Sequence, residues 1–103
     1  MTGMNILFLA VDDLRPFLGC YGDGNAHTPN LDALARRGIT FTNAMCAAPC
    51  CGPSRAALLT GQRPTRTGLY AFQDWTGHPD FADLVTLPEF YRKHGYRTFA
   101  AGK

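Results

Sequence analysis

Three short segments of the chain carry the hydrophobic pattern of β-strands. Residues 5–11 form a continuous apolar run that ends at two aspartates, as in a strand buried on both faces of a parallel sheet. Residues 39–45 alternate apolar and polar side chains, which is the period of a strand with one buried face. Residues 96–101 form a third apolar segment near the end of the sequence. We therefore predict a strand in each of these segments.

Helix signals lie between the first two predicted strands and directly after the second. Thr28 suits an N-cap, Pro29 suits the first helical position, and Gly38 is placed to end that helix in a left-handed conformation. Residues 54–60 have the pattern of a short helix that ends at Gly61. These signals predict one helix between the first and second strands and another helix after the second strand.

A third helix is predicted before the last strand. Thr86 and Glu89 have the spacing of a capping box, and Gly95 is placed to stop the helix that they begin. Residues 62–83 show no clear period and are predicted to be mostly loop. The order strand, helix, strand, helix, helix, strand predicts an α/β layered fold.

Composition and charge exclude several classes of protein. The 103 residues leave room for one domain, and 46% hydrophobic with 17% charged residues is ordinary for a globular protein. The net charge of +2 comes from scattered basic residues, which argues against a nucleic-acid partner or a membrane surface. The longest apolar run, residues 6–11, is far below the roughly 20 residues that span a bilayer. It also lacks the features of a signal peptide, so a cytoplasmic location is expected unless an export sequence precedes the chain.

The four cysteines do not have the spacing of a disulfide framework or a zinc site. Cys46, Cys50 and Cys51 crowd into six residues, and Cys20 stands apart. These intervals match neither the usual zinc-ligand pairs nor the Cys-x-x-Cys redox motif. A thiol-based metal or redox module is the weaker interpretation.

One motif carries most of the functional information. Cys51-Gly52-Pro53-Ser54-Arg55 is followed after three residues by Leu59-Thr60-Gly61. This stretch resembles the sulfatase signature, in which Cys-x-Pro-Ser-Arg is followed by Leu-Thr-Gly at fixed spacing. All seven specified positions match, and with residue usages near 5% the chance of agreement at one starting position is about 10⁻⁹.

The resemblance implies that Cys51 is oxidised to formylglycine, by a formylglycine-generating enzyme that acts on the unfolded chain. A hydrated aldehyde has two hydroxyls, so one can attack sulfur and the other can then re-form the carbonyl and expel sulfate. Arg55, in the first turn of the helix predicted from residue 54, would hold the aldehyde hydrate or a sulfate oxygen. The predicted position of Cys51 just before that helix also favours an anion.

The resemblance further implies a metal and a lysine at the site. Asp12 and Asp13 follow the first predicted strand, and the matching pair in sulfatases binds Ca²⁺ together with an oxygen of the formylglycine at the position of Cys51. Lys103, at the end of the third predicted strand, matches a lysine that contacts formylglycine and sulfate. Two carboxylates at a strand end are otherwise solvated or hydrogen-bonded to a nearby loop.

The family-like stretches run from Met4 to Lys103. The resemblance therefore implies an alkaline-phosphatase-like layered sheet with flanking helices. Residues 1–103 are expected to be the N-terminal part of a catalytic domain that is cut short after Lys103, because a doubly wound sheet normally continues past such a strand. Residues 11–16, 18–23 and 69–70 are similar to the subgroup of the family that acts on iduronate 2-sulfate.

Three functions remain open on the sequence. The leading hypothesis is hydrolysis of a sulfate ester, either of a small molecule or of a sulfated saccharide. The alternatives are a phosphonate monoester hydrolase or phosphodiesterase of the same superfamily, and a non-catalytic truncated fragment or pseudo-enzyme. Tyr70, Phe72 and Trp75 could line a sugar site, with packing in the core as the competing interpretation.

Overall fold

The computed structural model describes residues 3–75 and 77–102. The chain forms two compact units, the first ending at Ala44 and the second beginning at Met45. Regular structure in the described residues consists of helices α1 (Pro29–Arg37), α2 (Cys51–Thr60), α3 (Pro64–Thr67) and α4 (Leu87–Lys93), with 3₁₀ turns at Gly19–Tyr21 and Pro79–Phe81. None of the described helices is long and apolar enough to cross a membrane.

The three strand predictions are wrong for the described part of the chain. Residues 5–11, 39–45 and 96–101 contain no β-strand there. Large apolar side chains of these segments are exposed, with Leu7 at 81% and Ile39 at 83%. A strand is stable only when a neighbouring strand pairs with its backbone N–H and C=O groups, so an apolar pattern alone does not form one. The alkaline-phosphatase-like sheet therefore stays a prediction from the family resemblance.

Helix α1 begins as predicted and ends differently. Thr28 is its N-cap and Pro29 its first residue. Gly38 is extended, with φ −118° and ψ −155°, so the predicted left-handed conformation is wrong. The Gly38 N–H still donates to the Leu34 carbonyl at 3.0 Å. Because this bond completes the last turn without a positive φ, the glycine does not need the left-handed region.

The first unit is held together by a hydrogen-bonded contact between the 3₁₀ turn at Gly19 and the start of α1. The Gly19 N–H donates to Thr28 Oγ1 at 2.9 Å. The Thr28 hydroxyl in turn donates to Asp32 Oδ1 at 3.1 Å. A Cβ on Gly19 would lie 2.5 Å from Asp32 Oδ2. A side chain on residue 19 would therefore displace the Asp32 carboxylate from its present position.

Replacing Gly19 by alanine is expected to lower the free energy of unfolding by about 1 kcal/mol, because the Asp32 carboxylate must move away from the new methyl group and its hydrogen bond from the Thr28 hydroxyl is weakened. Urea unfolding measures the change. Gly24→Ala is the matched control, since nothing lies within 4 Å of its Cβ position and its φ is not positive. Both glycine-to-alanine substitutions lower the conformational entropy of the unfolded chain by a similar amount, so this contribution to the free energy of unfolding cancels in the comparison. Equal effects of the two substitutions would contradict the proposed clash.

The core of the second unit lies in the segment predicted to be loop. Ala56 and Leu69 are each 1% exposed, and Phe81 is 7% exposed. Trp75 and Leu84 are half-buried and pack against this cluster. The Trp75 and Phe81 rings lie 5.2 Å apart between centroids. The core therefore joins the middle of α2 to residues 69–84, which show no secondary-structure period in the sequence.

The capping box predicted for the last helix is confirmed. Thr86 is the N-cap of α4, and its Oγ1 accepts from the Glu89 N–H at 3.4 Å. The Glu89 carboxylate accepts from the Thr86 N–H at 2.8 Å and from the Thr86 hydroxyl at 2.8 Å. These bonds lower the pKa of Glu89 below its ordinary value of 4.5, and the bond from the Thr86 backbone N–H has the larger effect. Because α4 packs against α2, the box also supports the helix that carries Cys51.

The lowered pKa of Glu89 predicts a pH-dependent contribution to stability. A carboxyl with a lower pKa in the folded state stabilises the fold above its unfolded pKa, and that contribution is lost as the pH falls through the folded pKa. Between pH 7 and pH 3 the unfolding midpoint of Glu89→Gln is therefore expected to fall less than that of the wild type. Asp83→Asn, which changes an exposed carboxyl outside the box, is the control. A pH profile of Glu89→Gln identical to the wild type would exclude this role.

Candidate active site

Cys51 is the first residue of α2, which begins three residues earlier than predicted. Cys50 is the N-cap, with φ −133° and ψ 136°, and its carbonyl accepts from the Ser54 N–H at 3.1 Å. Pro53 fits the first turn because the N–H that proline lacks has no partner within the helix at that position. The prediction that Cys51 precedes the helix is corrected accordingly: its backbone belongs to the first turn.

Helix α2 separates a core face from the face that carries Cys51 and Arg55. Pro53, Ala56 and Ala57 are buried, whereas Cys51 and Arg55 are only half-buried. Residues four apart lie on the same side of a helix, with Cβ atoms roughly 5–6 Å apart. The thiol and the guanidinium of the motif are therefore neighbours on an accessible side of α2.

The last residues of the motif stabilise the other end of α2. The Thr60 hydroxyl donates to the Ala56 carbonyl at 2.7 Å and accepts from the Gln62 N–H at 3.2 Å. Gly61 follows the last residue of the helix, as predicted; it has φ 70°, and its N–H donates to the Ala57 carbonyl at 2.8 Å. A left-handed residue at this point is most readily glycine. The Thr-Gly part of the motif thus fixes the helix whose first turn carries Cys51.

The electrostatics of the first turn favour an anion next to Cys51. The N-cap Cys50 makes no side-chain hydrogen bond to the turn, and no acidic residue lies in it. The positive end of the helix dipole and the Arg55 guanidinium both attract negative charge. All four cysteines lie in the described residues, and none of them forms a disulfide. The arrangement can hold a small oxyanion against the side chain of residue 51.

Of the three aromatic side chains predicted to lie either in the core or at a sugar site, Trp75 alone packs against the core. Phe72 is 73% exposed and Tyr70 is 63% exposed. The Phe72 ring contacts the first turn of α2: a Cβ built on Gly52 would lie 3.2 Å from Phe72 Cδ1 and 3.5 Å from Cε1. Sequence reasoning missed this contact, for which the only signal is a glycine inside the motif.

A shallow cavity of about 380 Å³ lies beside α2, and Met45, Ser54 and Leu58 contribute to its lining. Cys51 and Arg55 are not among its lining residues, so this cavity does not coincide with the side of α2 that carries them.

The two aspartates predicted as metal ligands lie in the first unit. Asp12 and Asp13 are both exposed, and Asp13 has φ 53°, a left-handed conformation that aspartate tolerates better than most residues. Their carboxylates are the oxygen donors that Ca²⁺ takes. Within residues 3–75 and 77–102, no three His, Cys, Asp or Glu side chains are grouped to hold a metal ion. The donors fit a hard cation in kind, but the described residues alone do not complete its coordination.

The remaining predicted site residue is Lys103, which lies outside the described residues. Its role at the site, and the sharing of one metal by Asp12, Asp13 and Cys51, stay predictions.

Comparison with known proteins identifies the family. The family model described as Sulfatase matches residues 4–103, so the chain belongs to the sulfatase family. Iduronate 2-sulfatase of Mus musculus is 45% identical over 101 residues, which cover 97% of this chain and 18% of that protein. Iduronate 2-sulfatase of Homo sapiens is 44% identical over 101 residues, which again cover 97% of this chain and 18% of that protein. The resemblance inferred from the Cys51 motif is therefore confirmed.

A sulfatase named for another substrate is also similar to the chain. N-acetylgalactosamine-6-sulfatase of Homo sapiens is 44% identical over 111 residues, covering 96% of this chain and 21% of that protein. The chain spans about a fifth of the length of the curated relatives it matches.

Proposed function

We propose that this protein hydrolyses sulfate esters, with residue 51 as the nucleophile after its oxidation to formylglycine. The observation that carries the proposal is the position of Cys51 at the uncapped N-terminus of α2, one helical turn from Arg55. A formylglycine there supplies a hydrated aldehyde, which combines a nucleophile with its own route for releasing sulfate. The family membership and the sulfatase relatives support the reaction class.

Other residues of the chain are proposed to bind the sulfate and the metal ion. The first turn of α2 orients the sulfate through its dipole, and Arg55 holds one of its oxygens in a charge-assisted hydrogen bond. Asp12 and Asp13 are proposed as ligands of a divalent cation, Ca²⁺ by family resemblance, with further ligands beyond those described here. Lys103 is proposed to contact the sulfate. The alkaline-phosphatase-like sheet would bring these residues to one edge.

A sulfated saccharide, such as one carrying iduronate 2-sulfate, is the proposed substrate. Two of the relatives are named for iduronate 2-sulfate and a third for a sulfated N-acetylgalactosamine.

The proposal is tested on the protein as its natural host produces it. Peptide mapping is expected to find residue 51 about 18 Da lighter than cysteine, because one oxygen replaces a sulfur and two hydrogens. The same sample is assayed on a sulfate monoester, a phosphate diester and a phosphonate monoester. Hydrolysis of the sulfate ester alone supports the sulfatase. Preference for either phosphorus ester supports the alternative hydrolase, and an unmodified thiol without turnover supports a non-catalytic protein.

A further inference from the structure

Positive charge is concentrated at the C-terminal end of helix α4. Arg92 and Lys93 lie in the last turn of this helix, and Arg97 follows four residues after its end. Three of the ten lysine and arginine residues of the chain therefore lie within residues 92–97, which contain no aspartate or glutamate. All three are exposed. We call these three residues the basic end of α4.

The backbone after α4 turns back towards the helix and determines where Arg97 lies. Gly95 has φ 84°, and its N–H donates to the Arg92 carbonyl at 3.1 Å. The Tyr96 N–H donates to the Tyr91 carbonyl at 3.1 Å, and the two tyrosine rings lie 5.1 Å apart between centroids. These two bonds and the ring contact form a Schellman motif. Arg97 therefore begins directly beside the last turn of α4.

The charge of the basic end is not neutralised within the part of the chain that the structure describes. No carboxylate there forms an ion pair with Arg92, Lys93 or Arg97. Glu89 is the nearest acidic residue in sequence, but its carboxylate accepts from the N–H and the hydroxyl of Thr86, each at 2.8 Å. These bonds lower the pKa of Glu89 more than the charges of Lys93 and Arg92 do. Glu89 is thus held at the start of the helix.

Basic residues at the C-terminal end of a helix also interact favourably with its dipole, and that role needs no ligand. At α4 the carbonyls of residues 90–92 already accept from backbone N–H groups of residues 94–96. Arg97 lies outside the helix, and the dipole effect falls off within the last turn. The dipole therefore accounts for part of the role of Arg92 and Lys93 but not for Arg97.

Exposed cations differ from exposed apolar side chains in what can cover them. An apolar side chain gains free energy when further polypeptide packs against it. Burying a cation is costly unless an anion pairs with it. The basic end of α4 is therefore stable in water or against an anionic partner, and it is a poor surface for packing of apolar polypeptide.

We propose that the basic end of α4 binds the anionic chain of a sulfated polysaccharide, at a site separate from the one that holds the reacting sulfate ester. The proposal rests on the proposed function, because it names the polymeric form of that substrate class. A sulfated polysaccharide presents many anions along one chain, and arginine and lysine bind such oxygens in charge-assisted hydrogen bonds. The same charge attraction raises the rate at which polymer and protein meet. Membership of the sulfatase family favours this partner over a nucleic acid, which also carries repeated anions.

The test compares two double substitutions that remove equal charge from equivalent positions of two helices. Arg92→Gln with Lys93→Gln changes the last turn of α4, and Arg36→Gln with Arg37→Gln changes the last turn of α1. Calorimetry at low salt measures the binding of heparin, a highly sulfated polysaccharide, to the protein as its host produces it. The α4 variant is expected to bind roughly 3- to 10-fold more weakly, and the α1 variant less than about twofold. Adding Arg97→Gln to the α4 variant is expected to weaken binding further, whereas Arg97→Lys alone retains the affinity.

Kinetics separate binding of the polymer from the reaction at residue 51. In the α4 variant, the KM for heparin oligosaccharides is expected to rise by a similar factor while kcat is unchanged. Both constants for 4-nitrophenyl sulfate, which carries one sulfate and no saccharide chain, are expected to stay within about twofold, since a single anion gains little from the basic end.

Four results would decide against parts of this account. Equal weakening by the two double substitutions would mean that heparin responds to net charge alone, and would overturn the proposal. Tighter binding of a DNA oligonucleotide than of heparin would assign the surface to nucleic acid instead. Protection of Lys93 from acetylation in the host-produced protein would show that polypeptide covers the basic end. Heparin binding that the α4 variant loses, in a protein that hydrolyses no sulfate ester, would refute the proposed function while the binding surface stands.

Discussion

Cys51→Ala is expected to reduce sulfate-ester hydrolysis roughly 10³-fold or more, because the variant has no side chain that can become the aldehyde nucleophile. Cys50→Ala is the matched control, since it removes the neighbouring thiol while residue 51 keeps its place in the motif. Cys50 makes no side-chain cap on α2, so its truncation is expected to leave the helix start in place. Steady-state kinetics on a sulfate ester and peptide mapping of residue 51 are measured on both variants.

The comparison of the two cysteines separates chemistry from packing. If Cys50→Ala lost activity while residue 51 was still converted, the first turn of α2 would depend on the Cys50 side chain. If Cys51→Ala kept its activity, formylglycine would have no part in the reaction and the proposed function would be refuted.

Leu69→Ala is expected to be the most destabilising single substitution among those considered, at about 3 kcal/mol. Leu69 is 1% exposed and contacts the cluster that joins α2 to residues 69–84, so its truncation leaves a cavity beneath the helix of Cys51. Leu58→Ala is the control, because it truncates a leucine of α2 that is 48% exposed. It is expected to lower the free energy of unfolding by less than about 1 kcal/mol. Urea unfolding of the two variants gives the difference directly.

Similar losses for the two leucines would mean that the side of α2 bearing Leu58 is packed as tightly as the core. A smaller loss for Leu69→Ala than for Leu58→Ala would contradict the assignment of the core to Ala56, Leu69 and Phe81.

Local signals in the sequence were sufficient for the helix boundaries that depend on capping. Thr86 and Glu89 form the predicted box, and α2 ends at Thr60 before Gly61 as predicted, because both features depend on residues within one turn of each other. The strands failed for the opposite reason. Residues 5–11 need a partner strand to form a β-strand. An apolar run predicts that a segment is buried, but it does not predict which segment packs against it.

The sequence motif was sufficient to predict the family but not the contacts around Cys51. The Cys51 motif identified the family because its seven positions are read directly from the sequence. The contact of Phe72 with Gly52 joins residues twenty apart across a segment without a period, and no local pattern encodes such a contact. The same holds for Leu69 and Phe81, which form the core inside a segment predicted to be loop.

The exposed apolar run before Asp12 has a practical consequence for tests of the proposed metal ligands. Residues 5–11 are uncharged and contain no proline, a composition that favours intermolecular β-association wherever such a segment is accessible. Asp12 and Asp13 follow it directly, in the position where charged gatekeepers limit this association. Neutral substitutions at these aspartates would therefore promote aggregation, in addition to any effect on the proposed cation site. Soluble yield has to be measured beside metal affinity before a loss of activity is assigned to the ion.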